Sequence, residues 1–260
     1  MEAFKGYDRD KLFEALYSGL ITEFNLPVGV YQRTHETLIP ALVDNFKTGL
    51  QYGSEDFYVL RELKNNIYFF SAAKTFTQVH EMRGAMIEGD KIISFSDFRK
   101  KAEAIFKDYN ENYLKTEYDT TIGQSQMASE WSDIVSGQKL FPYLEYSAVI
   151  DSRTSQICAG FNGIVLPVND PFWRKYSPLN HFNCRCRLLK IDRYEEPTIA
   201  TKKQIEAGIE HAKENGMQKV FEMNPYFDKQ IFSEKHPYFK VSDQYKELAK
   251  NNFNLQIQKE

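Results

Sequence analysis

The chain has 260 residues, enough for one large domain or two small ones with a sizeable buried core. Hydrophobic residues at 42% and charged residues at 27% are ordinary for a soluble globular protein, and a net charge of −3 excludes the chain-wide basic signature of a nucleic-acid binder. No run of about 18 apolar residues occurs, so no membrane span is expected.

The N-terminal stretch "MEAFKGYDRDKLFEALYSGL" begins acidic and amphipathic. It lacks a basic segment followed by an apolar one, so no signal peptide is expected. A cytosolic chain favours free or metal-bound thiols over disulfides, and three cysteines cannot all pair internally. The 20 Phe and 16 Tyr suit a densely packed core or large protein contacts.

Residues 1–139 read as a helical region. Asp8 can cap a helix carrying Leu12, Phe13, Leu16 and Leu20. A second helix is expected from near Thr34, through Leu38, Leu42, Val43, Phe46 and Leu50, ending near Gly53. Apolar periodicity then runs from about Glu55 to Met86, and "IEGDK" is a turn. One or two long helices follow, with Ser96 as the expected cap and Phe98, Ala102, Ile105, Phe106, Tyr109 and Tyr113 on one face.

Residues 140–195 read as a small β-containing module. "YLEYSAVID" is a strand by its β-formers Tyr143, Tyr146, Val149 and Ile150, and "GIVLPV" is a second. "CRCRLLKI" is a third, expected to place Cys186, Leu188 and Lys190 on one face and Arg187, Leu189 and Ile191 on the other. Between the last two strands lies a loop with two prolines. Residues 196–260 hold a further helix, ended by Gly216, and an aromatic-rich tail expected to pack on the module. The fold class is α+β.

The chemistry-bearing residues cluster in the module. Cys158, His181, Cys184 and Cys186 are written C-x22-H-x2-C-x-C. A Cys3His set is what a closed tetrahedral zinc site requires, although C-x-C is not a standard zinc spacing. Two other readings stand beside one structural zinc: small buried thiols with a hydrogen-bonded histidine, or a Cys158–Cys184 or Cys158–Cys186 disulfide. Deaminase, HExxH and phosphate-loop patterns are absent. Asp151 and Arg153 read as a strand-end ion pair and turn, or, with His181, as the kernel of a nuclease or ADP-ribosyl-transfer site. Arg174, Lys175, Arg185, Arg187, Lys190 and Arg193 give a local positive excess, so Arg174, Lys175, Arg187 and Arg193 are candidate DNA contacts.

The whole run from Tyr146 to Ile191 resembles the motif core of the phage Mu F-like minor head protein family. Asp151, Arg153, Thr154, Cys158, Gly163, Pro167, Pro178, His181, Cys184, Arg185 and Cys186 carry the resemblance. Thr116 and Glu117 resemble the helix that precedes that core. Ser155 departs from it, because many members have a cysteine there, so only Cys158 remains from that side as a ligand. The resemblance implies a non-enzymatic minor head protein of a tailed phage or prophage. It implies association with the portal vertex and other head components, and a role in head morphogenesis and DNA packaging or exit. Packaged DNA is a further candidate partner. The implied location is the host cytoplasm during assembly, then the head interior or portal vertex.

Overall fold

The computed structural model describes residues 8–257. Their contacts divide the chain into two compact units: residues up to 40, 64–118 and from 236 onward form the first, and 41–63 with 119–235 form the second. The α+β class holds: helices dominate, accompanied by two small antiparallel sheets. No helix among the described residues is long and apolar enough to cross a membrane.

In the first unit, α1 (Arg9–Tyr17) starts where Asp8 accepts from the backbone N–H groups of Asp10 and Lys11, as its residue type dictates. Leu12, Phe13 and Leu16 are buried, whereas Leu20 lies past the helix end and is exposed. Helix α2 (Val28–Val43) begins at Val28 rather than near Thr34 and stops well short of Gly53. The Pro27 carbonyl accepts from Val30 and Tyr31, so the first turn forms directly behind the proline. The thirty-residue α3 (Glu55–Gly84) is followed by a two-residue hairpin, β1 (Ile87–Glu88) and β2 (Lys91–Ile92).

Helix α4 (Phe95–Lys107) is capped by Ser94, not Ser96: the Ser94 hydroxyl accepts from the Asp97 N–H. Its Phe98, Ala102 and Phe106 are buried, and Phe106 meets Phe13 edge to face at 6.0 Å. A π-helical turn (Asp108–Tyr113) leads into α5 (Leu114–Gly137). It keeps Tyr109 buried but rotates Tyr113 off the expected apolar face, leaving it exposed.

The second unit is built on a three-stranded antiparallel sheet in the order β4–β3–β5. Strand β3 (Tyr143–Ser147) alternates, with Leu144 and Tyr146 buried. It ends before Val149 and Ile150, and Ile150 is exposed. Strand β4 (Val165–Pro167) and strand β5 (Arg187–Ile191) pair on either side. Strand β5 starts after the cysteines, so Cys186 belongs to the preceding loop. Leu188 and Ile191 are both buried while Lys190 is exposed, which breaks the expected two-face alternation. Pro167 sits at the end of an edge strand, where its missing N–H costs no ladder bond.

Two short helices, α6 (Gln156–Ala159) and α7 (Trp173–Tyr176), flank the sheet. Helix α8 (Lys202–Glu214) packs on α6 and opens with a reciprocal capping box between Thr201 and Gln204. Gly216 follows its end at φ +87°, as the expected helix stop requires. Inside this unit Trp131 is fully buried and its indole N–H donates to the Ser177 hydroxyl at 2.7 Å.

Candidate functional site

Three chain segments of the second unit bring the soft ligands together. Helix α6 holds Cys158, and Ser155 caps that helix by accepting from the Ile157 N–H. A tight turn holds His181 and Cys184: the Cys184 N–H donates to the His181 carbonyl at 3.3 Å, and Asn183 between them adopts φ +58°. Asparagine tolerates this left-handed conformation better than most residues. Cys186 follows in the extended segment that enters β5.

The Cys158 and Cys184 sulfurs lie 3.6 Å apart, and all three cysteines are free thiols. Among the described residues, Cys158, His181 and Cys184 form the one group of three or more His, Cys, Asp or Glu ligand atoms that all fall within 4.8 Å of one another. Cys186 lines the same cleft as Cys158 and His181 but stands outside that tighter triad. The His181 Nδ1 lies 2.7 Å from the Phe182 carbonyl oxygen. That contact makes Nδ1 the N–H donor and leaves Nε2 as the lone-pair nitrogen.

Two residues that the sequence did not single out support the cluster. The buried Tyr146 hydroxyl donates to the Cys158 sulfur at 3.3 Å, and it accepts from the Asn180 amide at 2.9 Å. The only signal for Tyr146 was its place in a β-forming run; Asn180 had none beyond lying in the proline loop. Gly163, at φ +77°, turns the chain so that its N–H reaches the Tyr146 carbonyl at 2.8 Å.

The three thiols share charge unequally. Contacts with Cys158 and then Cys186, with backbone N–H support, hold Cys184 down at about 3. Cys158 is pushed far up by the same contacts, Cys184 first, and by burial. For Cys186 the contact with Cys158 pulls down, but Cys184 and burial outweigh it and the net direction is up.

Asp151 and Arg185 form an exposed bidentate pair, with both guanidinium–carboxylate bonds at 2.7–2.8 Å. The Arg153 backbone N–H also donates to Asp151, at 2.8 Å. The Asp151 partner is thus Arg185 across the loop rather than the expected Arg153, which contributes only its amide. The Thr154 hydroxyl closes the turn by donating to the Val149 carbonyl at 2.6 Å. Arg185, then the Arg153 amide, hold the Asp151 carboxyl at about 2. The pair's contribution is accordingly present above the ordinary carboxylate range and lost as pH falls through about 2. Arg185→Met is expected to return the Asp151 titration toward its ordinary value, read from carboxyl NMR shifts against pH; a titration left near 2 would refute the assignment.

Arg153, His181, Cys158 and Cys186 line a cleft of about 20 Å³ that Asp151 does not line. That is room for about one ion or water and not for a substrate. Arg153 and His181 share this cleft with Arg185, whose guanidinium is paired with Asp151. The basic residues are scattered in their partners. Arg174 stacks on Phe227 at 3.4 Å, Arg193 lies over Tyr194, and Arg187 and Lys190 both act electrostatically on Glu130. Lys175 is exposed.

The stretch from within α3 to within β5, residues 77–189, matches the family described as Phage Mu protein F like protein. Over these residues the chain is similar to that family. The matched segment holds every residue of the thiol–imidazole cluster together with Asp151, Thr154 and Arg185. Among individual proteins, 75 residues are 33% identical to protein F of Escherichia phage Mu, provisionally named for capsid assembly. That alignment covers 29% of this chain and 17% of the phage protein. A further 38% identity over 53 residues links it to the F protein of the Mu-like prophage FluMu of Haemophilus influenzae, over 20% of this chain and 13% of that protein. The chain thus aligns with less than a fifth of either relative. No solved structure gives a significant match to it.

Proposed function

We propose that this chain is a structural, non-enzymatic component of phage head assembly that associates with the portal vertex. The observation that carries the reading is the Mu F like match over residues 77–189, supported by relatives named for capsid assembly and for a Mu-like prophage F protein. The geometry is consistent with a structural role. The carboxylate of Asp151 is occupied by Arg185, and the cleft beside His181 has no room for a substrate. The chain would act with the portal and other head proteins in the host cytoplasm, then remain in the head interior or at the portal vertex. There it would serve packaging or exit of DNA. Contact with DNA itself is the weaker reading, because Arg174, Arg185 and Arg193 already face a ring or a carboxylate.

The test is co-expression of the full chain with the portal protein of its own genome, followed by affinity capture of the portal and size-exclusion chromatography. A stable complex that survives moderate salt is expected. A chain that elutes alone and is missing from purified heads would refute the reading. Retention on duplex DNA that falls steeply with salt would instead favour the nucleic-acid reading.

A further inference from the structure

We infer that Cys158, His181, Cys184 and Cys186 form a closed Cys3His site for one structural zinc ion. The inference rests on the local geometry and stands independently of any role in head assembly.

Distances support it first. With Zn–S near 2.3 Å and Zn–N near 2.05 Å, a tetrahedral site has edges of about 3.8 Å between sulfurs and about 3.5 Å between sulfur and nitrogen. The Cys158–Cys184 separation of 3.6 Å and the 4.8 Å limit on the whole triad suit such edges. A disulfide would need the two sulfurs at about 2.05 Å. Three ligands are therefore already gathered around one centre. Cys186, which lines the same cleft as Cys158 and His181, is placed to supply the fourth.

Orientation supports it next. Metal-bound histidines commonly donate their second ring nitrogen to a carbonyl or carboxylate, which fixes the ring. His181 does this through Nδ1 and the Phe182 carbonyl, leaving Nε2 for the ion. On the opposite side, Tyr146 and Asn180 hold the Cys158 sulfur in place. The left-handed Asn183 closes the H-x2-C turn, and both cysteines of the C-x-C lie ahead of β5, which starts at Arg187. The two cysteines therefore need not share the face of a strand.

Ligand chemistry then selects the metal. Three thiolates and an imidazole are a soft set, and no carboxylate joins the triad, which excludes calcium and magnesium. The cleft of about 20 Å³ accepts one ion and is too small for an iron–sulfur cluster. The ion would tie α6, the proline loop and the start of β5 into one knot. These three short segments have few ladder hydrogen bonds of their own.

The experiment uses the full chain, purified without a tag from zinc-supplemented cells. Metal analysis is expected to give one zinc per chain. The three thiols should react with a thiol reagent only after a strong chelator is added, and chelation should lower the melting temperature. Cobalt should restore the site and show the visible bands of tetrahedral thiolate coordination. Cys158→Ser and Cys184→Ser should lose the metal, while Cys186→Ser, at the looser corner, should keep zinc with reduced affinity. Because the single variants could fail to fold, the wild-type chelation and cobalt readouts are decisive. A zinc-free chain with three freely reacting thiols would overturn the site. So would a Cys158–Cys184 disulfide found by mass spectrometry, or zinc retained undiminished in folded Cys158→Ser.

Discussion

Lys74→Ala is expected to destabilise the chain by about 3–5 kcal/mol, the usual cost of removing one partner of a buried ion pair. Lys74 on α3 is 1% exposed and its ammonium contacts the carboxylate of Glu117, itself 6% exposed, on α5. The Tyr238 hydroxyl donates to the other Glu117 oxygen at 3.3 Å. Burial pushes the Lys74 pKa down and the Glu117 pKa up, and in each case the partner's charge opposes that push. Removing the ammonium takes away a charge that opposes the burial penalty on the Glu117 carboxylate, which favours its protonation. The pair need not be favourable relative to an apolar replacement. Lys74→Met/Glu117→Gln keeps an acceptor for Tyr238 and removes both charges, so it should recover most of the loss. Urea denaturation of the three proteins measures this directly. Equal losses in Lys74→Ala and the double variant would show that packing, not charge compensation, sets the cost.

This pair also marks the limit of what could be read without coordinates. In α3 the periodic apolar residues announced a helix, and the helix is there. Lys74 sits inside the run "SAAKTF", however, and its partner lies 43 residues away, a pairing no local pattern encodes. The same division holds at the site. The soft ligands were legible because clustered cysteine and histidine are rare and chemically distinctive. Tyr146 and Asn180, which hold Cys158, are ordinary residue types whose role exists only once β3 and the proline loop meet. Caps were legible where one polar residue stood alone, as at Asp8. They were misplaced where Ser94 and Ser96 competed and the choice fell to the first turn's geometry. The start of the strand expected from Cys184 was misread because β-propensity runs through "CRCRLL". The left-handed turn at Asn183 instead delays pairing until Arg187.

Gly208→Ala is expected to cost about 1–3 kcal/mol, the range for overpacking a closely fitted contact, and to loosen Cys158. On an exposed helix the same change would stabilise by roughly 1 kcal/mol, because alanine is the better helix former. The sign reverses here because α8 crosses α6 at two glycines. A Cβ added at Gly208 would lie 2.5 Å from the Gly160 carbonyl oxygen, and one added at Gly160 would lie 2.8 Å from the His211 ring. A carbonyl on the main chain cannot swing aside as a side chain can, so α6 must move as a body. Cys158 stands two residues before Gly160 on that same short helix, and its sulfur is held by contacts of 3.3 and 3.6 Å. A shift of a few tenths of an ångström at α6 therefore reaches the ligand cluster. Two measurements follow: chemical denaturation for the stability loss, and the rate at which the Cys158 thiol is modified under native conditions, which should rise. Gly160→Ala should act in the same direction but more mildly, since its nearest contact is the His211 ring, which can yield, and the Gly208 carbonyl lies at 3.0 Å rather than 2.5 Å. If Gly208→Ala proves as stable as the parent and Cys158 stays equally protected, the α6–α8 contact is not what seats the ligand.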